Sequence, residues 1–432
     1  MKTRTRFAPS PTGHVHIGNI RAAIFNWLFA RHTGGQFLLR VEDTDIERST
    51  PEAIQTLLDA MEWLGLNFDE APLYQTMRRQ AHIAGAQKLI EAGYAYEETA
   101  GERAGCVLFK MPGTDMEFTD IVKGHLKKPA ADMADFVIVR SNGTPVFHLA
   151  NVLDDIEQGI THVIRGDDHV ENTFRHIALY RALGAPVPQF AHLPMIVNAQ
   201  GRPYSKRDGD AFVGDFKTNG FLPAALFNYL ALLGWSPGDG REVMSRDEMA
   251  AAFDLSTVRS SPAQMDMRKM LWMNGEYIRA LPPADFAAIC RRELSAAGIA
   301  PDENSTAVFA LMQERIKLPA EITGATEYFF RDDYEYDEKA VQKKINSSAA
   351  GILEQIIALL ESLPEFGAGN IDAALHQFVE SSGLKFGDVM PPLRIAVSGQ
   401  PSGPELAHVL AILGKEKVIA RIRKTLKQFC AG

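Results

Sequence analysis

The stretch that decides the fold lies near the start: FAPSPTGHVHIGNIRAAIFNWLFARHTGG, residues 7–35. Two prolines, two glycines and two histidines lead into an amphipathic run, with Ile20, Ala23, Ile24, Trp27 and Leu28 at helical spacing. Gly34-Gly35 predicts the end of that helix. Before it, TRTRFAPS alternates and stops at Pro9, as a strand running into a loop does. After it, QFLLRVEDTD reads as a second strand, apolar until Val41 and then abruptly acidic. Thr50-Pro51 supplies a cap and a first-turn proline, and Ile54, Leu57, Leu58, Met61 and Leu64 stripe the helix that follows. Strand, helix, strand, helix opens a doubly wound α/β sheet, in which ligands bind beyond the carboxyl ends of the strands. APSPTGHVHIGN and EDTD both fall at such ends.

The residue types there suit an anion. His14 and His16 sit in a glycine-bounded turn before a helix N-terminus, where the dipole and free backbone N–H groups favour negative charge. Imidazole N–H groups would add donors for phosphate oxygens, although a plain helix cap with surface histidines fits the same residues. The stretch contains neither G-x-x-x-x-G-K-[ST] nor G-x-G-x-x-G. A second segment, YSKRDGD at 204–210, places Ser205-Lys206-Arg207 before an Asp-Gly turn. Alone it reads as a solvated basic loop. Paired with the histidine turn, it offers cations on two sides of a developing negative charge, as phosphoryl chemistry requires.

The remaining chain sets bounds. Its 432 residues exceed a single core and imply two to four domains. With 45 Lys+Arg against 54 Asp+Glu, the net charge of −9 argues against a generic nucleic-acid coat protein and leaves room for an enzyme with local basic patches. The start, MKTRTRFAPSP, has no apolar h-region, so no secretory signal is expected. FLPAALFNYLALLGW, 221–235, falls short of the ~20 residues of a membrane span and reads as a buried helix with Pro223 in its first turn. Cys106, Cys290 and Cys430 are far apart, so neither a disulfide framework nor a cysteine zinc site is expected, and a reducing cytoplasm is the simplest compartment. Residues 95–145 break the alternation with short strands, as an insertion would. The α/β pattern resumes at THVIRGDDH, 161–169, and the chain turns mostly helical from about 240.

PSPTGHVHIGN, FLLRVEDTDIERSTPEAI, THVIRGDDHVENT, YSKRDGD, GFLPAALFNYLALLGW, MLWMNGEYI and LAHVLAILGKE together resemble, in order and over nearly the whole chain, the glutamyl-tRNA synthetases. These are class I aminoacyl-tRNA synthetases; the first segment is similar to their HIGH motif and YSKRDGD to their KMSKS loop. The resemblance implies an α/β Rossmann-type catalytic domain at 1–240, with an acceptor-binding insertion at about 95–150 and the KMSKS-like loop at 203–208. It also implies a helical stem-contact domain at 241–330 and a helical anticodon-binding domain at 331–432. The implied reaction joins L-glutamate to ATP as glutamyl-adenylate and passes the acyl group to tRNA(Glu), with tRNA(Gln) as an alternative acceptor. Glutaminyl-tRNA synthetase is the nearest rival, disfavoured by Arg165 and the helical C-terminal region; a small-molecule nucleotidyltransferase would not need residues 240–432.

Residue roles carry over by position. His16 and Lys206 would be catalytic. Pro9, Thr12, Gly13, His14, Gly18, Asn19, Ser205 and Arg207 would join them around ATP. Glu42 resembles the ammonium partner of glutamate, Arg6 the ligand of its α-carboxylate and Arg165 the reader of its side-chain carboxylate; Ala8, Ser10, Phe147 and Asn151 would complete the pocket. A planar guanidinium suits a carboxylate better than lysine does. Three features depart from the family. Pro203 stands where a lysine is common, Phe147 where tyrosine is usual, and the insertion is short with Cys106 alone in it. ATP and Mg²⁺ are therefore the expected cofactors, with no protein-bound metal and no zinc. For tRNA, Lys417, Arg421 and Lys424 form a basic stripe on an amphipathic terminal helix, with Arg268 and Lys269 as further candidates; a solvated face accounts for them equally. The expected enzyme is a monomer without a membrane anchor.

Overall fold

The first expected elements form as β1 (Arg4–Phe7), α1 (Ile17–His32), β2 (Gln36–Val41) and α2 (Pro51–Trp63) in a computed structural model that describes residues 2–11, 13–44, 49–302 and 305–430. Thr50 caps α2 by accepting the Ala53 N–H, with Pro51 in the first turn. Gly13 enters the turn before α1 at φ +103°, in the left-handed region that favours glycine. His16 caps α1: its Nδ1 accepts the Gly18 N–H at 3.0 Å. A Cβ at residue 18 would lie 3.3 Å from that nitrogen, so any larger residue would have to push the capping ring aside by a few tenths of an ångström.

α1 departs from expectation in being buried nearly all round rather than amphipathic. Arg21 and Asn26 are as buried as Ile17, Ile20, Phe25 and Leu28. The polar pair is held by backbone carbonyls: Asn26 Nδ2 donates to the Ile164 carbonyl at 2.9 Å, and Arg21 Nη1 to the Leu233 carbonyl at 3.2 Å, while Arg21 Nε and Asn26 Oδ1 are buried without a partner among the described residues. The helix Pro223–Leu232 also has Pro223 in its first turn, and it buries Leu226, Phe227 and Leu230. No helix among the described residues is long and apolar enough to cross a membrane.

The chain continues through β3 (Leu73–Tyr74), α3 (Arg79–Glu91), β4 (Ala95–Glu97), β5 (Val107–Phe109), β6 (Met116–Asp120), β7 (Gly124–Lys128), β8 (Phe136–Val139) and α4 (Phe147–Glu157). It then returns to the parallel pattern with β9 (His162–Gly166), α5 (Val170–Ala182) and β10 (Gln189–Leu193). β1 pairs parallel to β2 with Arg4 opposite Gln36, and β2 parallel to β3. β9 pairs parallel to β10 with Gln189 opposite His162. The Thr161 N–H donates to the Arg4 carbonyl at 3.0 Å, which sets β9 beside β1. The order is thus 3-2-1-9-10, with the switch point between β1 and β9, where such sheets open a crevice at their carboxyl edge.

The region read as an insertion divides in two. β4, β5 and β8 form their own antiparallel sheet. The β6–β7 hairpin instead extends the parallel sheet: Phe190 of β10 pairs with Asp120 of β6, and the Ile121 N–H donates to the Phe190 carbonyl at 2.8 Å. Phe118 of β6 packs edge-on against Phe174 and Phe190, which gives the added strand an apolar anchor.

The backbone forms two compact units, Met1–Met273 and Asn274–Gly432. The second is helical around a core that includes Leu353, Ile356, Ile371, Val389, Val409 and Ile422. Its last helix, Lys415–Phe429, corrects one expectation. Val418, Arg421, Ile422 and Thr425 follow i, i+3, i+4, i+7 spacing and are buried together, so Arg421 lies on the inward face and is 4% exposed. Its Nη1 donates to the Val397 carbonyl at 2.7 Å, and its Nη2 to the Arg331 carbonyl at 2.9 Å and to Asp332 at 3.1 Å. Lys417 pairs with Asp332 at 3.2 Å, and Lys424 donates to the Asp332 carbonyl at 3.1 Å. Arg421 ties the helix to the 331–332 segment and is unavailable to phosphate, while its two lysine neighbours hold the same segment.

Candidate active site

A cavity of about 650 Å³ opens at the switch point between β1 and β9. The carboxyl ends of β1, β2 and β9, the first turns of α4 and the start of α1 converge on it. Arg6, Ala8, Ser10, Glu42, Phe147, Asn151 and Arg165, which the resemblance assigned to glutamate, all line this one space. Of the residues assigned to ATP, Pro9, His16, Gly18 and Asn19 line it as well. Gly13, His14, Ser205, Lys206 and Arg207 stand outside the lining, and Thr12 lies outside the described residues.

Charge at and behind the cavity wall is arranged in two groups. In the first, Asp155 of α4 accepts from Arg6 Nε at 3.1 Å and from Arg40 Nη1, and all three side chains are buried. Burial alone would raise the Asp155 pKa; Arg40 and Arg6 outweigh it and hold the carboxyl below its usual range. Glu42 accepts from Asn151 Nδ2 at 2.7 Å and from Arg40 Nη2 at 3.3 Å. Here burial wins over Arg40 and Arg6, and the Glu42 pKa is raised. Asn151 Oδ1 is buried with no partner among the described residues, an acceptor beside a carboxylate at the cavity wall. Such a pair suits an ammonium group.

The second group surrounds Arg165. Nε donates to His192 Nε2 at 3.3 Å, and Nη2 to Thr173 Oγ1 at 2.8 Å and the His169 carbonyl at 3.4 Å; Nη1 lies 3.4 Å from His176 Nδ1. No carboxylate among the described residues pairs with this buried guanidinium. Burial, with Arg175 and then Arg165 acting on His148 and Arg165 on His169, pushes both pKa values down to about 4; burial and Arg165 push that of His176 well below its ordinary value. The imidazoles around Arg165 are therefore neutral at pH 7 and add no second positive charge beside it. Burial and the nearby Arg6 lower the Arg165 pKa to about 10, which still leaves it cationic.

The two nucleotide-type segments meet at His16. Its Nε2 donates to the Tyr204 carbonyl at 3.2 Å while Nδ1 accepts from Gly18, so both ring nitrogens are engaged and the ring is the neutral Nε2–H tautomer. Burial lowers its pKa in keeping with that form. Phe212 joins the segments from the other side, with its ring centroid 5.8 Å from that of His16 and 5.2 Å from that of His14. Lys206 is exposed, its Nζ 5.9 Å from the Phe212 centroid. Ser205 is held by Asp208, which accepts its Oγ–H at 2.9 Å. Pro203 also lines the cavity, where a lysine is common in the resembling family. Phe147 sets its ring against His169 and His176, at centroid distances of 5.7 and 5.5 Å. No group of three His, Cys, Asp or Glu residues able to hold a metal occurs among the described residues.

Several residues were not anticipated. His169, Thr173 and His176 recur at helical spacing along the start of α5, a signal that was legible in the sequence. Asp155 lies one turn beyond Asn151 on α4. Asp120 and His192 come from distant strands and had no local signature.

The chain matches the family model of class I tRNA synthetases (E and Q), catalytic domain, over residues 2–104 and 97–272, and an anticodon binding domain over 282–426. A glutamate–tRNA ligase of Akkermansia muciniphila is 40% identical over 97% of this chain and 98% of its own length. One of Xanthomonas campestris pv. campestris (strain B100) is 40% identical over 99% of both. A solved glutamate tRNA ligase from Elizabethkingia meningosepticum, in complex with its amino acid, is 31% identical and covers 99% of this chain and 100% of its own, with a TM-score of 0.91. From the first strand to the last helix, the chain belongs to the class I glutamate–tRNA ligases.

Proposed function

We propose that Arg165 reads the side-chain carboxylate of L-glutamate in this cavity, with Glu42 and Asn151 on its ammonium and Arg6 on its α-carboxylate. The observation that carries this is a buried guanidinium facing a cavity among neutral imidazoles, with no carboxylate partner among the described residues. Arg6 has Nε tied to Asp155 and both Nη groups free of described partners.

The ligase reaction runs in two steps. An α-carboxylate oxygen of glutamate attacks the α-phosphorus of ATP, the bond to the bridging oxygen breaks, and pyrophosphate leaves. A hydroxyl of the terminal ribose of the tRNA then attacks the acyl carbon, and AMP and one proton are released. No side chain forms a covalent bond, so the protein contributes positioning and charge stabilisation. His16 has a single N–H, now spent on Tyr204; donating to a phosphate oxygen means exchanging that carbonyl for it. Lys206, exposed on the same loop, would meet the departing pyrophosphate. Mg²⁺ would arrive on the phosphates of ATP. The acceptor is proposed to be tRNA(Glu), with 241–330 along its stem and 331–432 at its anticodon, and with Arg268, Lys269 and the two lysines of the last helix as candidate contacts.

Glutamate and glutamine are nearly equal in size, so charge must separate them. Removing one member of a buried ion pair costs ~3–5 kcal/mol, about 10²–10⁴-fold. Arg165→Ala is expected to lower kcat/KM for glutamate by about that factor with little change in the KM for ATP, and Arg165→Ser to narrow the preference over glutamine. Single-turnover aminoacylation with each amino acid, on variants checked by thermal melting, measures both. Full preference in the variants would move the reading of the side chain to another group, Arg6 first.

A further inference from the structure

Arg165 makes its Nε bond to a histidine, and a histidine accepts there only in one tautomer. His192 Nε2 lies 3.3 Å from Arg165 Nε and 3.0 Å from Thr173 Oγ1; on the other side of the ring, His192 Nδ1 lies 2.6 Å from Asp120 Oδ2. All three of Asp120, His192 and Arg165 are buried. A guanidinium only donates, and an ionised carboxylate only accepts. With Asp120 ionised, Nδ1 carries the proton and Nε2 offers its lone pair to Arg165. We propose that Asp120 is a positioning residue for glutamate recognition: by fixing the Nδ1–H tautomer of His192, it gives Arg165 Nε an acceptor and aims the guanidinium at the cavity. The proposal rests on Arg165 reading the substrate's side chain.

The surrounding structure leaves the imidazole little freedom. Its ring stacks on Phe190, with centroids 6.2 Å apart and planes 9° from parallel, and Phe118 meets it edge-on at 6.4 Å. The Arg165 guanidinium carbon lies 5.8 Å from the same Phe190 centroid. Asp120 is held in turn: its Oδ1 accepts the N–H groups of Val122 at 2.9 Å, Lys123 at 2.8 Å and His192 at 3.2 Å. Three amides on one oxygen leave the other for the histidine alone.

This division makes Asp120→Asn a clean test. Asparagine can keep its oxygen on the three amides, which preserves the turn after β6. Its NH₂ then faces His192 Nδ1, which must become the acceptor, and the ring proton moves to Nε2. An N–H on Nε2 still finds Thr173 Oγ1, but it points a donor at Arg165 Nε–H, so the guanidinium loses its acceptor. The logic is that of a carboxylate orienting a histidine in a hydrolase triad.

Nitrogen-15 NMR of histidine-labelled protein reads the tautomer directly. The wild-type chain is expected to show His192 protonated on Nδ1, and Asp120→Asn protonated on Nε2. The variant should raise the KM for glutamate by on the order of 10–100-fold, as loss of a residue that orients a liganding side chain does. The KM for ATP should stay near its wild-type value, and the preference over glutamine should fall in step. A wild-type His192 protonated on Nε2 overturns the proposal without any variant. So does a variant with unchanged tautomer or unchanged glutamate KM. If Arg165→Ser narrows the glutamate preference while Asp120→Asn does not, the orienting role fails and the reading of Arg165 stands. If Arg165→Ser keeps full preference, that reading itself fails, whatever tautomer His192 adopts.

Discussion

Glu42 carries its charge against the cost of burial, and that cost has a pH signature. Its pKa is raised because burial outweighs the help of Arg40 and Arg6. An ammonium ligand needs the ionised form. The kcat/KM for glutamate is therefore expected to fall as pH drops through the raised Glu42 pKa, and Glu42→Gln should lose both activity and that acidic limb. The sign for stability is opposite. The folded state binds this proton more tightly than the unfolded chain, so Glu42's own contribution to stability is present at low pH and lost as pH rises through its folded pKa. A pH series of glutamate KM values beside one of chemical denaturation separates the two. At this scale, the place of Glu42 and Arg165 at the cavity was legible because each falls at a strand end inside a long recognisable segment, and that of Arg6 because it lies on the first strand. Asp120 and His192 were not, since 72 residues separate them and only the sheet order joins them.

At the scale of elements, His16 does two jobs that one substitution can part. As the N-cap of α1 it accepts the Gly18 N–H; through Nε2–H it holds the Tyr204 carbonyl. Asparagine caps helices well, whereas losing a cap outright costs about 1 kcal/mol. His16→Asn should keep the thermal midpoint close to wild type yet slow adenylate formation by on the order of 10²–10³-fold, the usual loss for one preorganised donor. Pyrophosphate exchange with a parallel melting curve decides it, and equal losses of Tm and rate would make His16 a cap only. Elements punctuated by proline and glycine were readable from sequence. The pairing of β6 with β10 was not, because strand partners far apart in sequence leave no local periodicity. The α1 environment was misjudged for a related reason: burying Arg21 and Asn26 depends on carbonyls supplied from Leu233 and Ile164.

For the whole molecule, a net charge of −9 means that tRNA must be met by local patches. Arg421 no longer belongs to one. Its guanidinium carbon lies 4.5 Å from the Tyr334 centroid, and its bonds close the core of the second unit. Arg421→Ala should destabilise that unit by on the order of 3 kcal/mol, the usual range when a buried network is opened. Hydrogen exchange is expected to rise in 331–429 while amides lining the cavity keep their protection. A variant with wild-type exchange and weakened tRNA binding would return Arg421 to the phosphate-contacting set.

The β6–β7 hairpin has a consequence for how this enzyme can be rebuilt. By sequence, the segment around 95–150 looks like a detachable cassette, the kind of region that lineages lengthen, trim or trade without touching the chemistry next door. Yet its strand β6 ends in the carboxylate that holds His192 in place, so a replacement cassette brings its own answer to how firmly Arg165 is gripped. If Asp120 positions Arg165 as proposed, transplanting the segment between relatives also transplants part of the support behind the cavity wall.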